Sequence, residues 1–159
     1  MSMNNFTDTD YANLALDKFL TIRINRLSSA LGRQATVLLA KESNLSLLEW
    51  RLIRLLVNRP DSTARELNRV SGINTAQISH GVRRLDNRKL ITVMRDPIDR
   101  RAYRLKLTTL GRQLYTQALP VMNRRYQALC ALLSEEESKM ITDILDRLDA
   151  HAKILDFPE

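Results

Sequence analysis

Cysteine, glycine, proline and aromatic residues are all scarce in this chain of 159 residues: one Cys, four Gly, four Pro, and 5% aromatics. The lone Cys130 excludes an intramolecular disulfide and a Cys-rich structural zinc site, and fits a reducing compartment. So few turn-forming residues exclude sandwiches and barrels, which leaves helices as the main building block. No apolar run approaches the ~20 residues that a membrane-spanning helix needs. The N-terminus has neither the basic start nor the apolar stretch of a signal peptide. No Ser/His/Asp set, phosphate-cradling glycine loop or metal-ligand cluster is present, so neither enzyme activity, metal nor cofactor is expected.

Charge is abundant and unevenly placed. Lys and Arg total 25 against 18 Asp and Glu, a formal net charge of +7. Between Ser46 and Leu107 stand 14 basic and 6 acidic residues. The remainder carries 11 basic and 12 acidic residues, so the whole excess lies in one central block. A solvated surface would spread it; a block of this kind points to an anionic partner such as nucleic acid.

The apolar pattern begins at Leu14. Leu16, Leu20, Ile24, Leu27, Leu31 and Leu38 recur at helical spacings, which predicts a helix over 14–41, ~40 Å long. A helix of that length outruns the core of a small domain and needs a second surface, most simply another copy of itself. Ser46-Leu47-Leu48-Glu49 is a capping box that opens the next helix, with Trp50, Ile53, Leu56 and Val57 as its apolar stripe. Thr63-Ala64-Arg65-Glu66 is a second box, and Gly72 suits the end of the short helix that follows. Asn74 caps another helix, with Ile78, Val82 and Leu85 inward. Two helices joined at a glycine turn within so short a span form a helix-turn-helix.

After Lys89 the period changes to two. Ile91 and Val93, then Tyr103, Leu105 and Leu107, read as two strands around the charged turn Arg95-Asp96-Pro97-Ile98-Asp99-Arg100-Arg101. Thr108-Thr109-Leu110-Gly111 begins a further helix that Pro120 should kink. Ser134-Glu135-Glu136-Glu137 caps the last one, which carries Ile141, Ile144, Leu145, Leu148, Ala152 and Leu155. Cys130, between Leu129 and Ala131, is expected to be a small buried hydrophobe and not a redox switch. His151 is expected to be an exposed helix residue.

Leu-Glu-Trp-Arg (48–51), Thr-Ala-Arg-Glu-Leu (63–67), Gly-Ile-Asn-Thr-Ala-Gln-Ile-Ser-His (72–80), Asp-Pro-Ile-Asp-Arg-Arg (96–101) and Leu-Thr-Thr-Leu-Gly (107–111) follow in order. Over roughly residues 14–155 this order resembles the MarR family of bacterial transcription factors. The resemblance implies a mostly α fold with a small β-wing, a winged helix-turn-helix between long N- and C-terminal dimerisation helices. The expected domains are 1–45 (N-terminal dimerisation helix, with 1–12 disordered), 46–107 (DNA-binding) and 108–159 (C-terminal dimerisation helices).

The function implied is a cytoplasmic, sequence-specific transcriptional repressor on bacterial nucleoid DNA. It binds a pseudo-palindromic duplex operator as a homodimer, without any membrane, and an aromatic or phenolic effector releases it. The alternative is an architectural, nucleoid-type DNA-binding protein of low specificity. For the recognition helix the expected DNA-binding residues are Asn74, Thr75, Ala76, Gln77, Ser79, His80, Arg83 and Arg84. The wing contributes Arg95, Asp99, Arg100 and Arg101, with Asp99 or Asp96 orienting a neighbouring Arg. Thr63 and Arg65 are placed near the backbone phosphates, and Arg33 and Trp50 at an effector pocket. Departures from the family pattern are His80 where many members have Arg, Gly81 inside the recognition helix, and Lys89 where Gly is frequent.

Overall fold

The computed structural model describes residues 7–153. The elements run α1 (Asp8–Asn13), a 3-10 turn (Leu16–Lys18), α2 (Leu20–Ser43), α3 (Leu47–Asn58), β1 (Ser62–Thr63) and α4 (Ala64–Ser71). They continue as α5 (Thr75–Asn87), β2 (Ile91–Arg95), β3 (Tyr103–Leu107), α6 (Thr109–Cys130) and α7 (Glu135–His151). The chain divides into two compact units between Ala118 and Leu119.

The first long helix starts later than its leucine spacing predicts. Ala15 and Phe19 hold extended backbone, with ψ 138° and 125°, and helix resumes at Leu20. The leucine period continues through this break, so periodicity could not mark it. Disorder was expected over residues 1–12. Residues 1–6 of that stretch lie outside the described residues, whereas Asp8–Asn13 is a helix. Thr7 and Asp10 cap it reciprocally: the Thr7 N–H donates to Asp10 at 3.1 Å and the Asp10 N–H donates to the Thr7 hydroxyl at 3.2 Å.

The three capping boxes form at Ser46/Glu49, Thr63/Glu66 and Ser134/Glu137. Each satisfies backbone N–H groups that the first helical turn leaves without partners. Gly72 ends α4 at φ 65°, a left-handed conformation that glycine adopts without a Cβ penalty. The sheet order is β1-β3-β2, antiparallel throughout, with Ile91 opposite Leu107 and Arg95 opposite Tyr103. Strand β1 was not foreseen; it is two residues long and exists through its pairing with β3.

Within residues 7–118 the core gathers Leu39, Leu52, Ile53, Leu56, Leu67, Ile78, Leu85 and Leu105, each at most 1% exposed. Gly81 is buried in α5, and a Cβ there would collide with Leu52 Cδ1 and lie 3.2 Å from Leu48. The helix-disfavouring glycine is thus a packing requirement of the α3–α5 contact.

In residues 119–153, α6 continues past Pro120 to Cys130. Cys130 is exposed in the single chain, which corrects the expectation of a buried hydrophobe: α6 ends at this residue, and its apolar neighbours do not enclose it. His151 is exposed. Helix α7 has no buried residue at all. Of its expected apolar stripe, Leu155 lies outside the described residues, and Ile141, Ile144 and Leu145 are 42–50% exposed.

Candidate nucleic-acid interface

Helix α5 is the element around which the site is built. Asn74 caps it, accepting from the Gln77 N–H at 2.8 Å, and Ile78, Gly81 and Leu85 face inward. Thr75, Ala76, Gln77, Ser79, His80, Arg83 and Arg84 are all exposed. The inward set at spacings of three and four leaves one continuous outer face, and these seven residues occupy it.

The wing is held by Asp96, which is 5% exposed. One of its oxygens accepts from the Ile98 N–H at 2.7 Å and the Asp99 N–H at 2.9 Å. The other pairs with Arg104 Nε at 2.6 Å. Asp99 accepts from the Arg101 N–H at 3.0 Å. Orientation at the tip is therefore exerted on the backbone: Asp96 takes Arg104 as its cationic partner, and Asp99 fixes the peptide of Arg101. Arg95, Arg100 and Arg101 are left exposed.

A cleft of about 850 Å³ between α4, α5 and the wing brings seven of the predicted DNA-contacting residues together. Thr63, Arg65, Thr75, Ser79, Arg83, Asp99 and Arg101 line it. Asn74, Ala76, Gln77, His80, Arg84, Arg95 and Arg100 are not among its lining residues. Thr63 is fully used as a cap, since its N–H and hydroxyl both engage Glu66, at 2.7 and 3.0 Å.

Arg33 is exposed on α2. Trp50 is 3% exposed, and its ring stacks on Tyr115 with centroids 5.3 Å apart. Both rings lie within the first compact unit, so Trp50 has a packing role there.

Arg88 and Arg104 have roles that the sequence pattern did not signal. Arg88 reaches Glu49 and the Asn44 carbonyl, at 3.0 and 3.1 Å. Arg104 joins Asp96 to the Asp61 carbonyl, 2.9 Å away. Lys89 sits at φ 57°, a left-handed turn that explains why glycine suits the position.

Between residues 46 and 107, three carboxylates are held below their ordinary range. Burial pushes Glu49 upward, but the Ser46 N–H and hydroxyl and the Arg88 guanidinium outweigh it. The Asp99 and Ile98 N–H groups lower Asp96, and the Thr63 N–H and hydroxyl lower Glu66. A carboxyl group whose folded pKa is depressed adds stability above its unfolded value, and that stability is lost as pH falls through the folded value. Melting temperature should therefore hold from neutrality to about pH 5 and fall steeply below about pH 4. A melting temperature that stays level to pH 3 would contradict these assignments.

A capped helix α5, an organised basic wing and a cleft between them define a winged helix-turn-helix fold. The sequence profile of the MarR family matches residues 43–102. Among relatives, it is 29% identical to the HTH-type transcriptional regulator FarR of Neisseria gonorrhoeae over 115 residues, covering 72% of this chain and 77% of that one. The crystal structure of a MarR/EmrR family regulator from Acinetobacter sp. ADP1 superposes with TM-score 0.80 at 25% identity, covering 87% of this chain and 98% of that one. The DNA complex of MepR from S. aureus shares the fold at TM-score 0.76 and 19% identity, covering 85% of this chain and 98% of that one. The regulators from Neisseria gonorrhoeae and Acinetobacter are transcriptional regulators by name.

Proposed function

We propose that two copies of this chain bind one pseudo-palindromic operator and repress transcription from it. Each copy sets Thr75, Ala76, Gln77, Ser79, His80 and Arg83 toward a major groove, and Arg95, Arg100 and Arg101 toward the adjoining minor groove. Asn74, Thr63 and Asp99 hold the backbone turns that present them, with Arg65 toward the phosphates. The observation that carries this reading is the convergence of α4, α5 and the wing on one cleft lined by Arg65, Arg83 and Arg101. Gln77 can pair with an adenine edge and His80 can donate to guanine or phosphate, which favours a sequence-reading regulator over an architectural protein.

Pairing of two copies is supported by the faces that the single chain leaves open. Leu20, Ile22, Ile24 and Leu27 of α2 are 37–57% exposed, and α7 buries nothing. Apolar stripes of this length are not left in water by a stable monomer. The domain plan follows: a reading head over 46–107 between dimerisation segments 1–45 and 108–159. We keep Trp50 and Arg33 as the candidates for an aromatic or phenolic effector, which at Trp50 would have to compete with Tyr115 for the indole face.

Selection from a pool of randomised duplexes tests the proposal. The chain should enrich an inverted repeat whose half-sites are centred about 10–11 base pairs, or a multiple, apart. Enrichment of A·T content without a repeat would favour the architectural protein.

A further inference from the structure

Glu49 is a carboxylate with no exposed surface. One oxygen completes the α3 capping box, accepting from the Ser46 N–H at 2.8 Å and its hydroxyl at 2.7 Å. That task needs an acceptor but no charge, and glutamine performs it equally well. The charge has a second use. The other oxygen lies 3.0 Å from Arg88 Nη1 and 3.6 Å from Arg84 Nε. Both arginines belong to α5, one turn apart, and Arg88 stands at its C-cap. A buried carboxylate without cations would be costly, so this pairing is not incidental.

Arg84 is the member of the exposed α5 face whose guanidinium is turned to the scaffold. Its side chain is 50% exposed, so it stands near the DNA-facing surface and yet spends its charge on Glu49. We propose that Glu49 is a specificity-determining positioning residue of the reading head. It fixes the C-terminal half of α5 through Arg88 and withholds the charge of Arg84 from backbone phosphates. Discrimination then rests on the side chains that meet base edges. The inference rests on the reading of α5 as the recognition helix.

Glu49→Gln keeps the cap and removes the charge. On the duplex selected by the parent and on a scrambled duplex of equal composition, the ratio of affinities should fall about tenfold. The salt slope on scrambled DNA should steepen by about 0.9 for each protomer bound, one newly neutralised phosphate. Adding Arg84→Gln to Glu49→Gln should return that slope to the parent value, which loss of packing alone would not do. A folded Glu49→Gln variant with the parent's ratio and slope would overturn the inference. Arg84→Gln alone provides a second test that does not depend on the stability of Glu49→Gln. Its slope should match the parent, and a slope shallower by about 0.9 would mean that Arg84 already neutralises a phosphate, which also overturns the inference. Failure of the parent to select any duplex would instead sink the DNA reading itself.

Discussion

Replacing Arg100 and Arg101 together with alanine should weaken binding to the selected operator by about 10²- to 10³-fold at 0.1 M salt. Each arginine that neutralises a phosphate contributes about 0.9 to the salt slope, and two protomers present four of them. The loss should be greatest where A·T pairs flank the half-sites, because the narrow groove there concentrates negative potential. Folding should be almost untouched, within about 0.5 kcal/mol, because both side chains are exposed. The one bond that Arg101 gives the wing comes from its backbone N–H to Asp99, and alanine keeps it. Binding titrations across salt concentrations, paired with a thermal melt, check both halves. Parent-like affinity on every duplex would make the Asp-Pro-Ile-Asp-Arg-Arg segment a well-formed turn and nothing more.

The second large effect is on stability. Gly111 lies in the first turn of α6, where a Cβ would meet the Leu90 carbonyl oxygen and lie 3.2 Å from Leu107 Cδ2. That carbonyl is fixed, since it accepts from the Thr108 N–H at 3.1 Å. Helix propensity alone makes Gly→Ala favourable by about 1 kcal/mol. The clash is with backbone, which cannot rotate away, and overpacking of this kind costs about 1–3 kcal/mol or more. The clash should win. Gly111→Ala is expected to lower the melting temperature by about 4–8 °C, whereas a rise of a few degrees would show that α6 can shift off the strand.

What could be read from the chain follows a physical divide. Caps, turns and periods are local, and the boxes at Ser46, Thr63 and Ser134, the Gly72 stop and the two long strands all form where the residues indicate them. The exposed face of α5 was legible for the same reason, because Ile78 and Leu85 fix which side is inward. Long-range partners were not legible. Arg88 finds Glu49 from 39 residues away, and Arg104 finds Asp61 from 43. Nothing in the spacing of either arginine signals such a bond. Gly81 and Gly111 were visible as oddities, but their reasons are the Leu52 side chain and the Leu90 carbonyl, which only packing brings close. The expectation for Cys130 assumed that an apolar stripe implies burial. In the single chain the stripe of α6 and α7 is open beyond Val121, so composition reported a surface for covering and not a core.

The central claim is that α5 lies in the major groove while the wing enters the minor groove beside it. A hydroxyl-radical and methylation footprint on the selected duplex addresses it directly. The parent should protect major-groove guanines in two half-sites, and minor-groove sugars just outside each one. The Arg100→Ala, Arg101→Ala double variant, at saturating concentration, should keep the inner protections and lose the flanking ones. Identical footprints for parent and variant, or parental protection confined to the half-sites, would contradict the account.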